Sequence, residues 1–285
     1  KLGQANPLFV GLANETSFYG QLALEELGNS FSAPSENWQP SQEEVRQVQQ
    51  SAGLQRALKL YQLNLRIEGS KEWNWALRGF EDKQLLAAAE FARRNDWYDR
   101  AINTAERTTQ LHNFGLRYLT PYRETFRQAA TQTGVEEAWL YGLTRQESRF
   151  INVARSGVGA SGLMQLMPAT AQWMAKRMGM RDFSPSSINQ IDVNVTLGSG
   201  YLKTIFDQLS RHPVLATAAY NAGPGRAKNW QANMPLEGAI YVENIPFQET
   251  RDYVKKVMSN TLVYSSLLGQ RGLPLKQRLH SIPAR

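Results

Sequence analysis

The chain has 285 residues, of which 42% are hydrophobic and 10% aromatic, with no cysteine and three histidines. A chain of that length holds one large domain or two ordinary ones and buries a core without disulfide or metal staples. The composition excludes a disordered polymer. The absence of cysteine removes thiol nucleophiles, disulfide frameworks and thiolate metal sites, and His112, His212 and His280 are too scattered to build a zinc site. No run approaches the roughly 18 apolar residues of a membrane span, and the polar opening at Lys1 implies that any targeting segment is absent or removed. Charge is unevenly placed: residues 1–114 hold 12 Lys+Arg against 14 Asp+Glu, and residues 115–285 hold 20 against 11, a net +9. A basic second half suits an acidic partner, such as a carboxylate-bearing polymer, an anionic membrane or nucleic acid.

The first territory reads as helix, polar break, helix. Asn14 is placed to cap a helix through Phe18, Tyr19, Leu22, Ala23 and Leu27, with Gly28 as its stop. A proline- and serine-containing loop follows at 32–41. The pattern then predicts a helix over 42–67, broken near Gly53, with Leu54, Leu58, Tyr61 and Leu65 as its stripe and Gly69-Ser70 as its end. A short helix around 73–77 and a tight hairpin of 85–94 and 97–108 complete the segment. Short helices recurring roughly every 30 residues resemble an α-solenoid and point to a scaffold.

The stretch 112–122, with Asn113, Gly115 and Pro121, reads as a boundary, because helicity is interrupted there and the charge changes sign. Beyond it the periodicity predicts helices at 122–132, 135–148, 168–178, 193–209, 214–220, 224–230 and 247–268. A small β element is expected within 151–166. The fold expectation is therefore all-α in the main, with one glycine-punctuated insertion.

One residue is out of place. Trp139, Leu140, Leu143 and Phe150 make the apolar face of the helix that starts near Val135, and Glu147 lies along the same stripe. A carboxyl there loses hydration, which raises its pKa and favours the neutral acid a glycosidase needs. Pairing with Arg145 or Arg149 at the helix end is the structural alternative. Nearby, Ser156, Gly157, Gly159 and Gly162 form a loop in which backbone can approach a ligand closely. Gln165 offers a donor and an acceptor, Met164 and Met167 offer apolar walls or core packing, and Pro168 suits a first helical turn. Tyr220 closes a helix and can present its hydroxyl to a cleft, while Asn221 secures the turn. Glu243 reads as a loop residue free to meet substrate, and Glu249 as a first-turn acid complementing the helix dipole.

Four segments together carry a resemblance. They are Arg145-Gln146-Glu147-Ser148-Arg149-Phe150, the run from Gly159 to Pro168, Ala219-Tyr220-Asn221-Ala222-Gly223, and Ile245-Pro246-Phe247 with Glu249-Thr250-Arg251 and Tyr253-Val254. In order and spacing this chain resembles the soluble lytic murein transglycosylases over about residues 117–268. The resemblance implies two parts: residues 115–285 as a lysozyme-like catalytic domain with a small β or loop element, and residues 1–114 as part of a longer α-superhelical scaffold. It implies Glu147 as the catalytic glutamate, with Ser156, Gln165, Met167, Tyr220 and Glu243 along the saccharide groove.

It also implies cleavage of the β-1,4 bond between N-acetylmuramic acid and N-acetylglucosamine in peptidoglycan without water, leaving a 1,6-anhydro end. Ordinary glycosidases use two carboxylates. Between residues 147 and 226 the acids are Glu147, Asp182, Asp192 and Asp207, and none of the last three is placed opposite the first. One glutamate acting as acid and then base accommodates that shortage. No metal or organic cofactor is expected. Peptidoglycan strands with their stem peptides are the expected partner, other cell-wall enzymes are candidates, and nucleic acid is not expected because the basic residues are dispersed. The expected location is the periplasm, with outer-membrane association left open. The competing readings are a water-using muramidase of the same fold and a non-catalytic wall-binding scaffold.

Overall fold

The computed structural model describes residues 2–34 and 37–285, so residues 35 and 36 of the loop expected at 32–41 lie outside the described residues. The chain divides into two compact units, Pro34–Pro121 and Lys1–Ala33 with Tyr122–Arg285. This differs from the single division expected at 114/115. The first two helices, α1 (Leu2–Leu12) and α2 (Phe18–Glu26), share a unit with the second half of the chain. The reason lies in α2: buried Gln21 donates to the carbonyl of Ser259, and Glu25 accepts the backbone N–H of Lys276 at 2.9 Å. The cap of α2 is Ser17, whose hydroxyl accepts from Gly20 N–H, rather than Asn14.

Residues 34–121 form α3 (Gln42–Gln49), α4 (Ala52–Gln62), α5 (Arg66–Ala76), α6 (Asp82–Arg94), α7 (Tyr98–Ala105) and α8 (Phe114–Arg117). Ser41 and Glu44 build a capping box that starts α3. Two helical hairpins, α4 with α5 and α6 with α7, meet around buried Trp73, whose indole N–H donates to Thr104 Oγ1 at 2.9 Å. Trp73 packs against Phe91 and Trp97, and Trp97 stacks on Tyr61 at 4.5 Å between centroids. The helix does break near Gly53, between Gln49 and Ala52, but it does not end at Gly69-Ser70, and both glycines are close contacts. Gly53 lies inside α4 against Ala76, and Gly69 lies inside α5 against the Tyr61 ring. A missing side chain reads as a breaker in sequence, but here it lets neighbouring helices approach.

The other unit continues with α9 (Arg123–Thr133), α10 (Glu137–Glu147), α11 (Pro168–Arg177), a 3-10 turn at Pro185–Asn189, α12 (Ile191–Gln208), α13 (Pro213–Ala222) and α14 (Pro224–Asn229). After these come α15 (Gly238–Asn244), α16 (Gln248–Leu267) and α17 (Leu275–Leu279). Helix α10 is buried almost all round because it lies against α16, and Gly142 leaves room for Thr261 and the Val257 carbonyl. Stacked Phe126, Tyr141 and Tyr264 fill the space beneath. In 151–166 only isolated bridges form, Arg155 with Ser161 and Ser161 with Leu166. The two short strands of the described residues, β1 (Leu236–Glu237) and β2 (Ser281–Ile282), pair antiparallel elsewhere. The fold is thus all-α with a minimal sheet, as expected from the periodicity. No helix among the described residues is long and apolar enough to cross a membrane.

Candidate active site

Glu147 is the last residue of α10, where the helix must end. Ser148 makes the stop: its hydroxyl donates to the Leu163 carbonyl at 2.6 Å and accepts the Phe150 N–H at 3.1 Å. Arg149 and Phe150 then take left-handed backbone angles, φ 48° and 65°, which a buried aromatic adopts only when its surroundings hold it there. Phe150 packs against both rings of the stacked Phe126–Tyr141 pair. This reversal pins the helix end, so the Glu147 side chain has little freedom.

The Glu147 carboxyl is crowded by protein on nearly every side, though the residue keeps a partial opening to solvent. Loss of hydration pushes its pKa up to about 8; the Tyr253 hydroxyl, donating to Oε1 at 2.5 Å, pulls the other way, and Glu249 adds to the rise. Desolvation wins, so the carboxyl is mostly neutral at pH 7. Burial, followed by the nearby Glu147 carboxyl, raises the pKa of both Tyr220 and Tyr253, so their hydroxyls stay protonated donors. The arrangement is a protonated acid with a neutral phenol in contact, suited to giving a proton and then taking one back.

The loop after α10 is organised by Asn194, which is fully buried on α12. Its Oδ1 accepts the Met164 N–H at 2.7 Å, and its Nδ2 donates to the carbonyls of Ser161 and Ile188. Gly162 at φ +81° lies so close that an added Cβ would fall 2.2 Å from that Nδ2. Only glycine fits there. Ser156 closes the turn 156–160, accepting the Ala160 N–H at 2.9 Å. Gln165, at φ 47°, donates to the carbonyls of Ala154 and Gly162. Both partners are acceptors, so the amide nitrogen must face them and the amide oxygen turns away. Met167 is 42% exposed at the start of α11, whereas Met164 is fully buried against Gly198 and belongs to the core.

Tyr220 reaches the same place from α13. Its hydroxyl donates to the Met164 carbonyl at 2.9 Å and its ring leans on Tyr201. Asn221 secures the turn by accepting from Thr250 Oγ1 at 2.7 Å, which ties the end of α13 to the start of α16. Glu243 lies in α15 rather than in a loop, and its Oε1 accepts from the Tyr19 hydroxyl at 2.7 Å and pairs with Lys255 at 3.4 Å. Tyr253, Asn194 and the Tyr19–Lys255 pair are the residues sequence reasoning left without a role in the site, and Glu249, read there as a dipole-complementing acid, also acts on Glu147. The signal for Tyr253 was present: it shares a stripe with Thr250, Val254 and Val257, and a phenol on a buried stripe requires a hydrogen-bond partner. Among the described residues no group of three His, Asp or Glu is arranged to hold a metal ion.

Three family models match this chain: "Transglycosylase SLT domain" over residues 124–239, "Soluble lytic transglycosylase helical domain" over 244–272, and "Soluble lytic murein transglycosylase L domain" over 47–112. A soluble lytic murein transglycosylase of Salmonella typhimurium is 27% identical over 271 residues, covering 94% of this chain and 42% of that protein. A solved lytic transglycosylase from Pseudomonas aeruginosa, an inactive mutant with glutamine in place of a glutamate, superposes at TM-score 0.84 with 34% identity. That match covers 95% of this chain and 44% of the other. The 70 kDa soluble lytic transglycosylase of Escherichia coli gives TM-score 0.81 at 26% identity over 98% of this chain and 44% of that one. The helical architecture around Glu147 is thus that of the lytic transglycosylases. More narrowly, the chain belongs to the soluble lytic murein transglycosylase family. It spans less than half the length of the relatives it matches.

Proposed function

We propose that this chain is a peptidoglycan lytic transglycosylase, cleaving the β-1,4 bond between N-acetylmuramic acid and N-acetylglucosamine without water. The observation that carries the reading is the poorly hydrated Glu147 carboxyl, held at a pKa of about 8 with Tyr253 on one oxygen. Glu147 protonates the leaving glycosidic oxygen, and the muramoyl acetamide carbonyl stabilises the cationic anomeric carbon. The carboxylate left behind is stabilised by the Tyr253 hydroxyl and takes the proton of the sugar's own C6 hydroxyl as that oxygen closes on C1. The product carries a 1,6-anhydro end. An intramolecular nucleophile outcompetes water through its high effective concentration.

Ser156, Gln165, Met167, Tyr220 and Glu243 line the saccharide groove in this reading. The outward amide oxygen of Gln165 accepts an acetamide N–H or a sugar hydroxyl. The Tyr220 hydroxyl already donates its hydrogen bond to the Met164 carbonyl, so it serves substrate as an acceptor. The catalytic part is the unit of residues 122–285 with 1–33, and the scaffold narrows from 1–114 to residues 34–121. The site of action is the periplasm, where the polymer lies. The relatives named soluble lytic murein transglycosylases, and the Pseudomonas aeruginosa protein inactivated by a glutamate-to-glutamine change, support this reading.

One observation favours a second reading, hydrolysis. Glu249 is near enough to Glu147 to raise its pKa, so a second carboxylate stands by the first. Mass spectrometry of digested sacculi in 18O-labelled water separates the two. Anhydro-muramoyl ends free of label, absent with Glu147→Gln, are expected. Labelled reducing ends would replace the first reading by the second, and undiminished cleavage by Glu147→Gln would defeat both.

A further inference from the structure

Tyr19, near the start of α2, makes contacts that the docking of its helix does not need. Helix α2 is already anchored by buried Phe18, by Gln21 donating to the Ser259 carbonyl and by Glu25 accepting the Lys276 N–H. Tyr19 itself is 48% exposed, and a hydrogen bond at such a surface adds little to stability. Yet its hydroxyl stands at the centre of a polar cluster. It donates to Glu243 Oε1 at 2.7 Å and accepts from Lys255 Nζ at 3.0 Å. The Lys255 ammonium also lies 3.4 Å from the same Oε1, 3.6 Å from Asp252 and 5.2 Å from the centre of the Tyr19 ring. Burial pulls the Lys255 pKa down, but the Tyr19 hydroxyl and the Glu243 carboxylate outweigh it, so the ammonium keeps its charge.

The consequence falls on the other oxygen of Glu243. Tyr19 and Lys255 both occupy Oε1, whereas Oε2 has no hydrogen-bond or ion-pair partner among the described residues, and the side chain is 43% exposed. The two oxygens lie on opposite sides of the carboxyl carbon, so turning one into the cluster turns the other out. The backbone of Glu243 is fixed as well, because Arg251 donates to its carbonyl and to that of Ile245. Arg251 and Lys255 stand on either side of Tyr253 along α16, and the Tyr253 hydroxyl holds Glu147. At about 1.5 Å per residue they are roughly 6 Å apart along the axis, so one short stretch of helix sets both the acid and the free oxygen. Without the phenol, Lys255 is left to Asp252, and Glu243 regains the rotamer freedom of an ordinary surface glutamate. Neither Tyr19 nor Glu243 falls within the residues matched by the three family models.

We propose that Tyr19 is a positioning residue for glycan binding: its hydroxyl fixes Glu243 so that Oε2 is held out as a ready acceptor for a sugar hydroxyl or acetamide N–H. The inference rests on the peptidoglycan reading above, in which Glu243 lines the groove, and extends the construction of that groove to α2. Tyr19 touches no reacting atom, and no bond is made or broken at it. Its effect is on affinity, because a long exposed side chain is ordered before the sugar arrives.

Tyr19→Phe removes the hydroxyl and keeps the ring. On glycan strands solubilised from sacculi it should raise KM by about fivefold with kcat within about twofold, while the melting temperature stays within about 2 °C. Glu243→Ala removes the carboxylate through which Tyr19 acts, so in that background Tyr19→Phe should raise KM by less than about twofold. A second arm titrates the β-1,4-linked hexamer of N-acetylglucosamine into the Glu147→Gln protein with and without Tyr19→Phe. Weakening by about fivefold supports the role. An unchanged KM, a loss confined to kcat, an equal loss with and without the Glu243 side chain, or hexamer affinity indifferent to Tyr19→Phe would overturn it. If the unaltered protein cleaves no glycan, the catalytic reading fails, and the titration alone decides the role of Tyr19.

Discussion

Replacing Glu147 by glutamine keeps the side chain's shape and its acceptor for the Tyr253 hydroxyl but removes the titrating proton. The folded carboxyl has a pKa of about 8 against an ordinary 4.5. Between those values the unfolded chain has released its proton and the folded chain has kept it. The folded state binds more protons there, so stability falls as pH rises. The contribution of the neutral acid is fully present below pH 4.5 and lost through about pH 8. A gap of about 3.5 pH units at roughly 1.36 kcal/mol each gives an upper bound of about 5 kcal/mol. Water reaching the half-open carboxyl reduces this, and we expect about 2–4 kcal/mol. Glutamine avoids the loss. Calorimetry from pH 4.5 to 8.5 should show the two proteins melting together at the acid end. At the alkaline end the Glu147→Gln protein should lead by roughly 5–10 °C, given about 2–4 °C per kcal/mol for a unit of this size. A gap independent of pH, or a less stable glutamine variant at pH 8.5, would refute the burial argument.

Turnover itself should fall as pH rises through about 8, because the reaction needs the protonated acid. Tyr253→Phe removes the hydrogen bond that holds that pKa down, so the alkaline limb of a pH–rate profile should move up by as much as about one pH unit while kcat drops; a limb moving down contradicts the geometry. Asn194→Ala strands the Met164 N–H and the Ile188 carbonyl in the interior, while the Ser161 carbonyl keeps the Leu166 N–H, and should cost about 3 kcal/mol in urea unfolding. A cost below about 1 kcal/mol would mean that the loop 151–166 is held by something else. Gly142→Val drives a side chain into Thr261 and the Val257 carbonyl and should separate α10 from α16, costing about 2 kcal/mol or more together with most of the activity. Retained melting temperature and rate would show that the contact of α10 with α16 is looser than described.

The acid–phenol pair explains why a single helix end carries so much of the site. Glu147 closes α10 and Tyr253 lies in the second turn of α16, the helix against which α10 is packed. Any change that shifts α10 along α16 by a fraction of an ångström alters the 2.5 Å contact and with it the proton affinity of the carboxyl. The tandem left-handed residues Arg149 and Phe150 and the Ser148 hydroxyl are devices for preventing that slip.

Local patterns were legible in the amino-acid sequence wherever the physics is local. The 3.6-residue periodicity located α9 to α14 and α16 to within a few residues, Pro168 marked the start of α11, and the misplaced charge of Glu147 on an apolar stripe marked the acid. Long-range pairing was not legible. Gly69 looked like a helix end because sequence records a missing side chain but not the Tyr61 ring that fills its place. Glu243 looked free because its partners, Tyr19 and Lys255, are 224 and 12 positions away. Tyr253 and Glu249 were visible as members of a motif, yet the first's hold on a carboxyl 106 residues earlier depends on α16 lying against α10. What the chain determines by itself is which segments coil and which faces avoid water, since these follow from each residue and its near neighbours. What tertiary structure alone decides is the proton affinity at Glu147, because that depends on how much water the packed helices exclude and which hydroxyl they leave in its place.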